Sequence, residues 1–208
     1  MNAFKEGLKL GFMFQFIIGP ICFFLLQVSI KDGFIVALWG SIGVSIGDGI
    51  FIILAILGLG TIFEKFQKLK QISCFIGMLI LSLYGLYIIF GALMQDFGTK
   101  ETLKVSLHSF KALFYGLIIT LSNPITILYW SSSFAINLAS RKEKGSKKEI
   151  YLLGFGAFIT TPIFLIVWVG FGAYFGKLIP QSFMPYIQGS IGVLLIYYGI
   201  KTYLKVRK

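Results

Sequence analysis

Residues 12–30 read FMFQFIIGPICFFLLQVSI, and residues 113–139 read LFYGLIITLSNPITILYWSSSFAINLA. Each run is apolar and each is interrupted near its middle, by Gly19-Pro20 in the first and Asn123-Pro124 in the second. Proline has no N–H, and its ring clashes with the carbonyl four residues back. The Phe16 and Thr120 carbonyls are therefore expected to lose their usual helical partners. In hydrocarbon a freed carbonyl persists only where it packs in protein or lines a cavity. Two interrupted segments at matching places in two halves of a chain point to a transporter's binding site.

The rest of the 208 residues fits a bilayer. The chain is 57% hydrophobic and 13% charged, with 22 Phe, where soluble domains carry about 25% charged residues. A globule of this composition would leave far too much apolar surface in water. Spanning helices need roughly 20 apolar residues, and six runs qualify, near residues 8–30, 34–62, 72–94, 110–139, 150–179 and 186–204. The sequence predicts an all-α membrane protein of six transmembrane helices.

Orientation follows from the basic residues. With the N-terminus in the cytoplasm, Lys5, Lys9, Lys65, Lys68, Lys70, Arg141, Lys142, Lys144, Lys147, Lys148, Lys201, Lys205, Arg207 and Lys208 fall inside, fourteen of the nineteen. The positive-inside rule then puts both termini in the cytoplasm. It accounts for the +11 net charge through anionic inner-leaflet lipid, and no basic-aromatic module suggests a nucleic-acid partner. The first apolar run is longer than a signal-peptide core and lacks a cleavage site after it. Brevity and compact loops suit a bacterial inner membrane.

The midpoint falls near residues 95–109, after three spans, which divides the single transporter domain 1–208 into repeats of about 1–95 and 108–208. Phe4-Lys5 ahead of Gly11 and Gly19-Pro20 matches Phe110-Lys111 ahead of Gly116 and Asn123-Pro124. Asp48-Gly49-Ile50-Phe51 matches Thr161-Pro162-Ile163-Phe164, and Tyr84-Gly85 matches Tyr198-Gly199. Three spans is an odd number, so such repeats insert in opposite senses, as two inverted three-helix units. In span two, Ala37, Ser41, Ser45 and Gly49 recur at every fourth position beside Gly40, Gly43 and Gly47. That pattern predicts close helix packing; such seams would also serve a homo-oligomer.

Of the eight acids, Asp48 alone lies deep within a span. A midplane carboxylate costs about 2.5–3.5 kcal/mol, which makes an intramembrane acid a candidate functional group by default. It suits a substrate amine or a proton; the alternative is a structural acid capped by a neighbouring helix. Around the breaks stand Gln15, Ser122 and Asn123, and Thr160-Thr161-Pro162 is expected to form a third broken turn. Unwound helices offer carbonyls to cations, and half-helix N-termini attract carboxylates; a zwitterionic amino acid needs both. Enzyme chemistry finds little support. The lone histidine, His108, lies in a connection, no second deep carboxylate is available for an aspartyl dyad, and no metal or cofactor motif is present. Cys22 and Cys74 fall at different depths, which argues against a disulfide.

Together these residues resemble the LysE-type (lysine exporter/homoserine-threonine exporter) family of bacterial amino-acid exporters over essentially the whole chain. Gly19-Pro20 followed by a glycine-rich second span ending Gly47-Asp48, and Leu121-Ser122-Asn123-Pro124 in the fourth, are the elements that match. The resemblance implies a secondary exporter of amino acids or similar small metabolites, energised by the proton motive force. Two positions depart from the family pattern: Ile18 stands where Pro-Gly-Pro is usual, and Ile125 where a lysine often follows Asn-Pro. A related branch moves electrons with paired cysteines in spans one and four; span four here has none. The site expected for substrate and proton comprises Asp48, Gln15, Gly19, Pro20, Ser122, Asn123, Pro124, Thr160 and Thr161. Asp48 would alternate between proton and substrate ammonium. The competing classes are a structural or signalling membrane protein, to which loss of Gly19 and Asn123 would be harmless, and a passive channel.

Overall fold

Both proline-marked runs fold as two helices with a break between them. A computed structural model describes residues 2–15, 19–57, 67–96, 108–141 and 147–207. The described helices are α1 (Ala3–Gln15), α2 (Pro20–Lys31), α3 (Phe34–Ile56), α4 (Gln67–Asp96), α5 (Ser109–Leu121), α6 (Pro124–Arg141), α7 (Lys147–Leu178) and α8 (Met184–Arg207). A short 3-10 turn, Gln181–Phe183, precedes the last. No strand occurs among the described residues. Phe16, much of the midpoint connection and several of the counted lysines lie outside them.

At the first break Gly19 is extended (φ −125°, ψ −174°) and Pro20 takes the first helical position, where a missing N–H costs nothing. The Gly19 carbonyl accepts from the Cys22 N–H at 3.1 Å, and α2 leaves α1 at 72°. At the second break the Ser122 N–H closes α5 on the Ile118 carbonyl at 2.9 Å. Asn123 N–H then turns back to the Thr120 carbonyl at 3.1 Å. The Thr120 carbonyl is thus not left free, because the tighter turn supplies a donor three residues on.

The third expected break does not form. The 32-residue α7 runs unbroken through Pro162. An internal proline removes one ladder bond, here to Phe158, and strains one turn. The turns before it are held by neighbours: a Cβ at Gly156 would meet the Phe4 carbonyl of α1, and Gly154 sits against Ile56 of α3.

Three described segments are long and apolar enough to cross a bilayer alone: Phe34–Ile56, Phe75–Leu93 and Lys148–Leu178. The bent pair Ala3–Gln15 and Pro20–Lys31 makes a fourth if it is one span. Large apolar side chains stand exposed on their outer faces, among them Ile35, Ile53, Leu83, Phe90, Ile163 and Val167. In water that surface would drive association; against lipid it is at home.

Helix α1 packs along α7, α3 along α5 and α4 along α8, while α2 touches α3, α7 and α8. The close approaches fall at glycines, as the sequence predicted. A Cβ at Gly43 would meet the Leu113 carbonyl, one at Gly116 the Gly40 carbonyl, and one at Gly7 the Leu153 carbonyl. Gly85 and Gly192 likewise face each other's carbonyls across α4 and α8. Small residues let backbones meet this closely where lipid provides no hydrophobic drive. Among the described residues, Gly33 between α2 and α3, at φ +90°, is the one glycine required by conformation.

Two buried clusters form among the described residues. Phe24, Leu25 and Val28 of α2 pack with Val44, Leu165 and Leu195. Phe51, Ile52 and Ala55 of α3 pack with Trp130, Phe134 and Leu153. Asp48 lies on α3 between Val44 and Phe51, where the two clusters meet.

Candidate functional site

Asp48 sits fourteen residues into α3 and is 1% exposed. A carboxyl group so buried needs hydrogen-bond partners, and two other elements supply them. Thr161 of α7 donates from Oγ1 to Asp48 Oδ2 at 3.1 Å. The same hydroxyl accepts from Gln15 Nε2 at 3.0 Å. Trp130 of α6 donates from Nε1 to Asp48 Oδ1 at a long 3.5 Å. Gln15, the last residue of α1, is thereby linked through Thr161 to Asp48, and all four side chains are buried.

Beside Asp48 lies a cavity of about 30 Å³, bordered by Gln15, Gly19, Cys22 and Asn123 with Phe14, Val44 and Leu165. At about 10–15 Å³ per water it has room for about two waters and is too small for an amino acid. Behind Phe14 further rings are packed. Phe14 stacks on Tyr129 with centroids 4.6 Å apart and lies 5.1 Å from Trp130. The Tyr129 hydroxyl donates to the Leu10 carbonyl at 2.6 Å, fastening α6 to α1. Near the first break, Trp168 Nε1 donates to the Cys22 carbonyl at 2.9 Å.

The fold therefore brings Asp48, Gln15, Gly19, Asn123 and Thr161 together. Pro20 is buried at the head of α2, and Pro124 heads α6. Ser122 is half-buried in the turn before Asn123. Thr160 turns its hydroxyl to the Ala157 carbonyl at 2.6 Å and packs over Gly11, away from Asp48. Sequence reasoning missed Trp130 and Phe14, and treated Cys22 as packing. The indole N–H, a polar handle on a buried ring, was the available signal for Trp130. Among the described residues, no three His, Cys, Asp or Glu side chains gather as a metal site requires.

Residues 12–205 match the LysE type translocator family. The chain belongs to that family. It is a multi-pass membrane translocator rather than an enzyme, and the apolar outer faces of its helices agree. It is 29% identical over 136 residues to a threonine efflux protein of Salmonella typhimurium, covering 65% of this chain and 66% of that one. It is 30% identical over 119 residues to a threonine efflux protein of Escherichia coli K12, covering 57% and 58%. A Bacillus subtilis protein, YcgF, named provisionally for amino acid efflux, is 24% identical over 199 residues, covering 96% and 94%. The chain thus spans just under two thirds of the length of the threonine efflux relatives it matches. No solved structure matches this translocator.

Proposed function

We propose that this translocator is a secondary exporter of amino acids or related amine-bearing metabolites across a bacterial inner membrane, by proton antiport. The observation that carries the reading is Asp48. It is a fully buried acid where two broken segments meet, held by neutral donors from α6 and α7. A cargo ammonium and a proton would compete for that one carboxylate. Each binds only after the other leaves, and such exclusion is what obligatory exchange requires. The Gly19-Pro20 and Asn123-Pro124 breaks would flex as the site turns from one face of the membrane to the other.

The architecture proposed with it is six spans in two inverted repeats, about 1–95 and 108–208, with both termini cytoplasmic. Reciprocal contacts support the repeats. Gly43 lies against Leu113 and Gly116 against Gly40, while Gly156 lies against Phe4 and Gly7 against Leu153. Gly47 meets Thr120, and Gly11 meets Thr160. Exchanging the halves exchanges the helix pair α3 and α5 for α7 and α1, and Asp48 bonds to Thr161, the residue that aligns with it.

The relatives named for threonine efflux make threonine the first cargo to assay. Purified protein in liposomes with an imposed pH gradient should concentrate labelled amino acid against its own gradient. Asp48→Asn should abolish that uphill movement. Full, pH-independent uphill transport by Asp48→Asn would refute the coupling, and strictly downhill flux in the wild type would indicate a channel.

A further inference from the structure

Among the described residues, two buried side-chain atoms lack a hydrogen-bond partner: Gln27 Oε1 and Thr126 Oγ1. The second is the informative one. Thr126 is wholly buried, and a desolvated hydroxyl without a partner is a cost that folds rarely leave standing. It occupies the third position of the 18-residue α6. The N–H groups of a first helical turn have no partners within the helix, and partial positive charge collects there.

Its register sets it beside the site. Trp130, four residues on, lies on the same helix face and donates to Asp48. Asn123, three residues before, lines the cavity beside Asp48. Thr126 therefore stands between two residues that reach the site, on the only described helix that begins at a break and bonds to Asp48.

We infer that Thr126 and the first turn of α6 form the subsite for the cargo's carboxylate. The hydroxyl donates to that carboxylate while Asp48 faces the ammonium, so the two ends of an α-amino acid are read by groups of opposite sign. The buried Thr126 hydroxyl, which no protein group pairs, gains its partner from the cargo carboxylate. This inference rests on the export reading and adds to it a place for the carboxylate end of the cargo.

The test uses full-length protein in liposomes and a panel of the twenty labelled proteinogenic amino acids. The best-transported one is compared with its carboxamide, which keeps the ammonium and loses the charged carboxylate. Thr126→Val preserves shape, and removing an orphan hydroxyl leaves stability unchanged or raised. Loss of a hydrogen bond to a charged group predicts a rise in KM of about 10- to 100-fold for the amino acid. Thr126→Ser should restore it to within a few-fold, and the carboxamide should be insensitive to Thr126→Val. Wild-type KM in Thr126→Val, or an equal rise for acid and carboxamide, overturns the subsite while leaving export standing. If Thr126→Val does not fold, wild-type inhibition by the carboxamide as strong as by the acid also overturns it. Failure of the wild type to move any of the twenty overturns the export reading, and this inference with it.

Discussion

Replacing Thr161 by valine would break the link between α1 and α3 while keeping the shape of the side chain. Two bonds go: the one at 3.1 Å to Asp48 and the one at 3.0 Å from Gln15. A buried neutral hydrogen bond nets about 0.5–1.5 kcal/mol and one to a charged group about 1.5–3 kcal/mol. Gln15 and Asp48 are 6% and 1% exposed, so neither stranded group reaches water. The expected destabilisation is about 2–4 kcal/mol. Equilibrium unfolding in mixed detergent micelles, followed by the fluorescence of the three tryptophans, would measure it. A double-mutant cycle with Gln15→Leu isolates the shared bond, and its coupling should be about 1 kcal/mol, since distant sites add to within about 0.3–0.5 kcal/mol. A Thr161→Val protein within about 0.5 kcal/mol of wild type, or strict additivity with Gln15→Leu, would refute the wiring described here.

The glycine seams offer a paired test. Gly43→Ala sets a Cβ against the Leu113 backbone and should cost about 1–3 kcal/mol by overpacking. Gly91→Ala meets nothing within 4 Å and should gain about 0.5–1 kcal/mol from helix propensity; thermal unfolding of the two should move in opposite directions. Cys22 borders the cavity and is buried. In a Cys74→Ser background, a small methanethiosulfonate reagent should therefore inactivate transport, and transported amino acid should slow the inactivation several-fold. Complete labelling without loss of transport would place Cys22 outside the path.

The two breaks were legible because proline carries its effect in its own covalent structure, whatever surrounds it. Pro162 shows the limit of that argument. Its helix is pinned by α1 and α3 at Gly156 and Gly154, a tertiary fact that overrides a single lost bond. Asp48 was legible as the one deep acid, and Gln15, Asn123 and Thr161 by their closeness to the breaks. That Gln15 reaches Asp48 through Thr161 was not legible, since it depends on how three helices are rotated about their axes. Trp130 and Phe14 were hidden by abundance. In a chain with 22 Phe, 10 Tyr and 3 Trp, no aromatic residue marks itself out, and which rings cover the acid is decided by packing. Thr160 and Thr161 are neighbours in sequence, yet one turns to its own helix and the other to Asp48.

An energised membrane is a charged capacitor, and each protein embedded in it is a place where the dielectric can fail. Moving one charge through 100 mV releases about 2.3 kcal/mol, and a continuous file of water would spend that freely. Among the described residues, the space beside the acid is about 30 Å³; Phe14 borders it, and the Tyr129 and Trp130 rings pack against Phe14. In this form the protein is part of the insulation. Under the proposed exchange, a cell keeps many idle copies ready without running down its voltage.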